Sequence, residues 1–152
     1  MKYKTIGAFK NVQNVPHCKA EVDLKVGMGV VVDLANKIVS LPASEEACKG
    51  VFYIVTNIND KPEMHNFSET LVVKKGEFVR ADDLTTVANL EAEFSAAELA
   101  DFDSVSKGDK LVFGTDGLLA KKDDVTGYKV YFEVTELTAY MGKGIQAVIR
   151  VQ

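Results

Sequence analysis

Apolar residues in this chain fall in short runs punctuated by glycine, asparagine and aspartate. Short alternating runs between turn residues mark β-hairpins, because side chains on a strand point to opposite faces with a period of two. Gly27, Met28 and Gly29 lead into Val30, Val31 and Val32. Asp33 to Asn36 then makes a turn, and Ile38, Val39 and Leu41 form the return strand. Pro42 ends that strand, since proline has no N–H to donate to a ladder. Gly50 opens the run Val51, Phe52, Tyr53, Ile54, Val55 and Thr56, whose continuity predicts a strand buried on both faces. Asn57 to Asn66, rich in Asn, Asp, Pro and His, reads as a surface loop. Thr70 to Val73 and Glu77 to Ala81 read as strands on either side of a Lys74–Lys75–Gly76 turn.

The pattern changes over 84–103, which is rich in Ala, Leu and Glu and lacks Gly and Pro. Ser95 followed by Glu98 has the spacing of a capping box, in which the hydroxyl and the carboxylate satisfy early amides reciprocally. The expectation is a short helix over about 96–101, with Phe94, Leu99 and Phe102 on one side and a further turn near 87–92. The β pattern then resumes. The 110–114 and 117–121 stretches flank Thr115–Asp116–Gly117, and Asp-Gly is a strong hairpin signal. Tyr128, Val130, Phe132 and Val134 alternate with Lys129, Tyr131, Glu133 and Thr135. Ile145, Ala147, Ile149 and Val151 alternate in the same way after a Gly142–Lys143–Gly144 turn.

One turn recurs three times: an apolar residue, two others, glycine, two others, then an apolar run. The copies begin at Leu24, Val73 and Val105, with the glycine at Gly27, Gly76 and Gly108. Each glycine is expected to take positive φ in a tight turn that feeds a strand. The fold class expected is mainly β, a small β-barrel or β-sandwich with one short helical insertion at about 86–102. The chain reads as a single domain over 1–152, with the alternative of two small lobes, 1–83 and 104–152, joined by 84–103.

Composition adds constraints. With 152 residues, 47% hydrophobic and 26% charged, the chain can build a core without metals or disulfides. The net charge is −4 and no basic stripe is visible, which argues against nucleic acid. No stretch approaches the ~20 apolar residues of a membrane helix, so no membrane role is expected and synthesis in a cytoplasm is. There Cys18 and Cys48 are expected as free thiols.

The search for chemistry yields little. His17 and Cys18 adjoin and so point to opposite faces of a strand, which does not make a metal site. No nucleophile elbow, phosphate loop or calcium loop is present. Asp82–Asp83, Asp101 with Asp103, and Asp123–Asp124 read as solvated turns. No catalytic residue, metal or cofactor is assigned, and the chain is not expected to be an enzyme. Exposed aromatics remain: Tyr131 lies opposite the core phase of its strand and Tyr140 near a turn, and tyrosine is favoured at protein interfaces. For Tyr131 a place over a small second core is the competing reading.

Leu24 to Gly27 into Val30–Val32, then Ile38 to Pro42, then Gly50 to Val55, resembles small bacteriophage capsid decoration (cement) proteins. So does Val105 to Asp109 into Leu111–Phe113, followed by Asp116 to Leu119. The resemblance covers about half the chain. It departs in having Gly-Met where the pattern has Gly-Asp, and in the 84–103 insertion and the tail from Tyr128. It implies a virion structural protein bound to the major capsid protein or another virion protein, stabilising the assembled shell, with a homo-oligomer as one option. Under it, the arm 1–16 and the loop 57–66 are contact candidates, with Tyr3, Lys10, Asn57, Asn59 and Asn66 joining Tyr131 and Tyr140. A small-ligand or carbohydrate-binding β module is the alternative function.

Overall fold

The computed structural model describes residues 1–4, 10–58 and 71–152. Asn59 and Asn66 lie outside them. Among the described residues the strands are β1 (Lys2–Tyr3), β2 (Gln13–Ala20), β3 (Leu24–Lys25), β4 (Gly29–Asp33), β5 (Ile38–Ser40), β6 (Tyr53–Val55), β7 (Val72–Val73), β8 (Phe78–Asp83), β9 (Glu91–Ser95), β10 (Lys110–Phe113), β11 (Leu119–Lys121), β12 (Val130–Thr138) and β13 (Gly144–Val151), with one helical turn, α1 (Glu45–Cys48). The protein is mainly β, as its patterning predicts.

Two sheets dominate. The strands β2-β5-β4-β6-β8 close into a barrel, and β1-β9-β13-β12-β10-β11 form a six-stranded sheet. A short β3–β7 ribbon adds Leu24 and Val73 to the barrel core, which also holds Cys18, Ala20, Val30, Val39, Val55, Val79 and Ala81. One face of the large sheet packs on residues of the barrel segment, Val51, Ile54, Leu84 and Val87. That second core is aromatic: Phe132 meets Phe94 and Phe113 edge to face, at ring-centroid distances of 5.0 and 5.3 Å. β6 lies between the two cores. Ile54 faces the sheet while Val55 faces the barrel interior, so the Val51–Thr56 run is buried on both sides.

All three repeated glycines have positive φ: Gly27 at 91°, Gly76 at 86° and Gly108 at 92°. The first and third turns lead into the hairpins β4–β5 and β10–β11. The second does not make a hairpin: β7 pairs with β3 and β8 with β2 and β6, so its turn carries the chain between sheets. The two hairpins meet, where the Gly29 N–H donates to the Gly117 carbonyl at 2.8 Å. A Cβ at Gly29 would run into the Phe113 ring, so the barrel and sheet touch through a position that only glycine fits.

The helix expected near 96–101 is the main local correction. Glu91–Ser95 is a strand pairing with β13 and β1, and the helical content nearby is three 3-10 turns, Leu84–Val87, Ala96–Glu98 and Phe102–Ser104. Ser95 and Glu98 do form the capping box, but it opens a single turn. The reason is tertiary. Ala92 and Phe94 face the core while Glu91 and Glu93 face away, a period-two arrangement that weak helix propensity does not overcome. Phe94 is fully buried on that strand, Leu99 bridges Leu119, and Phe102 packs on the same core from the side.

Candidate functional site

Three places among the described residues gather polar, aromatic and exposed apolar side chains; Leu137 and Met141 are further exposed apolar residues, on the sheet segment. The first is the outer edge of β9. There β1 pairs antiparallel, Lys2 opposite Glu93 and Tyr3 opposite Ala92, and the Lys4 N–H donates to the Glu91 carbonyl at 2.8 Å. Glu93 is buried, and the ammonium groups of Lys2 and Lys4 each lie 3.3 Å from its carboxylate. Lys2 also sits over the Tyr140 ring, 5.3 Å from its centroid, so its charge lies between a carboxylate and an aromatic face. Tyr3 and Tyr140 were separate candidates in the sequence; the fold brings both to this one strand.

On the core side of β1, the Tyr3 hydroxyl donates to Asp82 Oδ2 at 3.3 Å. Asp82 is fully buried on β8. Its other oxygen lies 3.5 Å from Arg80 Nε in an ion pair, and neither of those two atoms makes a hydrogen bond among the described residues. Burial, then the Asp82 charge and hydrogen bond, pushes the Tyr3 hydroxyl well above its ordinary pKa, so it stays protonated and donating. Next to this site the Met1 amino group pairs with buried Glu98, the carboxylate of the capping box, and Gly27 lies against that carboxylate too closely for a Cβ.

The second place is the outer wall of the barrel. Register places Asp33 beside Ile38, Ile38 beside Lys19, and Lys19 beside Phe78, one row across four strands. The alternate positions, Val32, Val39, Cys18 and Val79, point into the barrel. Phe78 is 59% exposed, Ile38 and Val31 are exposed on the same wall, and Leu34 is 54% exposed in the adjoining hairpin loop. Lys19 lies over the Phe78 ring at 5.3 Å. The sequence reading placed Phe78 in a strand without singling it out. Its signal was phase: Phe78 and Arg80 share the polar phase of β8, where an aromatic has no core to enter.

The third is a cleft of about 310 Å³ between α1 and the β10–β11 hairpin. Cys48, Val112, Phe113 and Tyr128 line it, and Glu45, Asp116, Lys121 and Lys122 surround it. Burial, followed by the charges of Glu45 and Asp116, raises the Cys48 thiol above its usual pKa, which disfavours the reactive thiolate. Tyr131 covers the small cluster of Cys48, Val112, Val125 and Tyr128, with Lys110 over its ring at 5.8 Å. Both cysteines are free and buried, while His17 beside Cys18 is exposed on the opposite face.

The remaining candidates sit apart. Asn57 closes the barrel seam: its amide donates to the Phe78 carbonyl at 3.1 Å, and its oxygen accepts from the Arg80 N–H at 2.8 Å. It imitates a strand residue, so its polar groups are turned to β8. Lys10 is exposed and lies in neither of the first two clusters. Among the described residues, no group of three His, Cys, Asp or Glu side chains converges as a metal site would, and no helix is long and apolar enough to cross a membrane. No protein-family model matches the chain, and no curated protein matches it.

Proposed function

We propose that this protein works by binding a protein surface through the outer wall of its barrel, and that the surface is the assembled shell of a bacteriophage capsid. The observation that carries the first part is the row Asp33–Ile38–Lys19–Phe78 with Val31 and Leu34 beside it. Scattered exposed apolar residues are ordinary; here Ile38 and Phe78 share one wall with Lys19 between them, and several exposed apolar groups on one wall support an interaction site. Phe78 is an aromatic anchor with charges around it, the composition of an interface centre with a polar rim. The second part rests on the resemblance of the hairpin order to capsid decoration proteins. A protein that binds only the assembled lattice stabilises it by mass action, and many copies on one shell need only modest individual affinity.

The cleft beside Cys48 favours a second reading, a small-ligand or carbohydrate module. Its volume of about 310 Å³ is at the lower end for ligand pockets. Its aromatics, Phe113 and Tyr128, are 2% and 6% exposed, so they offer little ring face for stacking on a sugar. The barrel wall therefore carries the preferred reading.

The test is co-sedimentation with shells assembled from the major capsid protein encoded beside this chain's gene. The chain is expected to pellet with shells and to ignore the same protein unassembled, and Phe78→Ser should abolish pelleting. Equal pelleting by wild type and Phe78→Ser would overturn the assignment to the wall; no pelleting, or the lack of any neighbouring capsid gene, would overturn the capsid reading. Retention on a glycan array that is blocked by filling the cleft with Ala120→Trp would favour the alternative.

A further inference from the structure

We propose that β1 is an exchangeable strand and that the edge of β9 is its receptor, filled either by the chain's own residues or by the same residues of a second copy. The receptor is held independently of its occupant. β9 pairs with β13 over five positions, Ser95 to Glu91, whereas β1 contributes only two paired residues and one further backbone hydrogen bond. The site is also specific. Glu93 is buried where it meets Lys2 and Lys4, Asp82 is buried where it meets Tyr3, and Tyr140 lies under the Lys2 ammonium. An empty edge would strip Glu93 of both lysines and Asp82 of the Tyr3 hydroxyl. A strand that reads basic, aromatic, basic relieves both, because its alternate side chains reach opposite faces at once.

A second copy of the chain supplies that strand atom for atom. Cis and trans docking make the same hydrogen bonds, ion pairs and tyrosine contact, so their local free energies cancel and only connectivity separates them. The balance is then one of concentration. A short tether gives its own strand an effective concentration on the order of 1 mM. Cis docking dominates in dilute solution, and trans docking becomes comparable wherever copies crowd to that density, the ordinary route to strand-swapped assemblies. This inference stands whatever surface the barrel wall meets.

The experiment uses full-length chains carrying single cysteines at facing positions. The Lys4 N–H bonds the Glu91 carbonyl, so the two residues sit opposite one another, and cross-strand Cβ atoms lie within disulfide reach. Lys4→Cys gives up one of the two lysine partners of Glu93 but leaves the Lys2 pair, the Tyr3–Asp82 hydrogen bond and the backbone pairing in place. A mixture of Lys4→Cys chains with Glu91→Cys chains is oxidised mildly at several concentrations. A disulfide joining the two can form only in trans. A mixture of Lys4→Cys with Asp123→Cys, an exposed turn position, measures random collision. The expected result is a heterodimer in excess of that control, its yield rising about fivefold between ~0.1 and ~1 mM, and falling to the control level when Tyr3→Ser is added to the Lys4→Cys chain. Two results overturn the proposal. One is a heterodimer no greater than the collision control at the highest concentration while the double variant Lys4→Cys/Glu91→Cys closes within one chain. The other is failure of that double variant to close at all, which would remove the docking itself.

Discussion

The barrel and the six-stranded sheet solve the same burial problem with different residues. Among the described residues the buried barrel core holds Val, Ala, Leu and a cysteine, with Tyr53 packed against it, whereas the sheet core turns on Phe94, Phe113 and Phe132. A five-stranded barrel has a narrow lumen that small branched side chains fill, and closure removes its edges. What the barrel cannot take in, Phe78 and Ile38, stays on its outer wall. The sheet keeps two edges, and at one of them the protein sets the buried Glu93 carboxylate against Lys2 and Lys4. Polar groups that need partners find them within the chain at the sheet edge. Apolar groups lack cover on the barrel wall, and Leu137 and Met141 lack it on the sheet segment. The one aromatic among these exposed groups, Phe78, is what favours the barrel wall as the proposed binding surface.

The most severe way to break this comparison is to hollow out each core in turn. Phe132→Ala removes a fully buried ring in edge-to-face contact with two others and should cost about 3–5 kcal/mol. Val39→Ala in the barrel removes only two methyl groups' worth of burial and should cost about 2 kcal/mol. Calorimetry of both variants checks the difference. One transition shifted in each case means that the two cores unfold together, while a second transition appearing only in Phe132→Ala would mean that the barrel stands without the sheet.

A smaller effect is expected at the joint. Gly29 gives its N–H to Gly117 and faces the Phe113 ring. Gly29→Ala should overpack that contact and cost about 1–3 kcal/mol in a denaturant titration. A variant as stable as the wild type would show that the two sheets can slide apart slightly without loss, and that the joint is not shared structure.

Much of this was legible in the residues themselves. Turn glycines and alternating runs located β4, β5, β10, β11, β12 and β13 because those strands are made by local hairpins whose turn chemistry is written beside them. Partnering was not legible where it is non-local. The Lys74–Lys75–Gly76 turn has the same local form as the others, yet β7 pairs with β3 from far upstream. The 91–95 strand was hidden by Ala and Glu, good helix formers, and only its place between β13 and β1 makes it extended. The candidate residues divide in the same way. Tyr3 and Tyr140 converge because β1 docks on β9. Asp82, the partner of Tyr3, read as part of a solvated turn and is fully buried, and Glu93, the partner of Lys2 and Lys4, carried no signal beyond being a carboxylate. Asn57 looked like a loop contact and is a seam residue, since its amide fits where a peptide would have been.

Acid should loosen both halves alike. Asp23 and Asp33 lie in the barrel segment, and Asp109 and Asp124 in the sheet segment. Hydrogen bonds from Lys74, the Asn36 N–H, Lys121 and Thr126, respectively, are the leading cause holding each carboxyl below its ordinary value. A depressed carboxyl pKa stabilises the fold above the unfolded value of about 3.9, and that contribution is lost as pH falls through the lower folded value. All four groups are at the surface, so solvent and salt screen the effect. Midpoint temperatures followed from pH 5 to pH 2 should fall modestly, and Asp109→Asn should flatten part of that slope. A steep loss already above pH 5 would show that these four carboxylates do not govern the acid response.

The smallest effect on stability is the most informative about function. Phe78 is largely exposed, and its ring contacts Lys19 rather than a core. Phe78→Ser removes apolar area that water already reaches, so the midpoint of unfolding should stay within about 0.5 kcal/mol of wild type. On the proposed reading this aromatic serves another surface, and the same substitution should then remove binding to that surface. The two readouts separate the alternatives. Loss of stability beyond that range would show that Phe78 packs against part of this chain and that the wall is already covered. Unchanged stability with unchanged binding would move the contact elsewhere, to the β9 edge or the cleft beside Cys48. Unchanged stability with lost binding is the outcome the contrast between barrel and sheet requires, because the barrel closes its hydrogen-bonding edges and leaves side chains as its means of holding a neighbour.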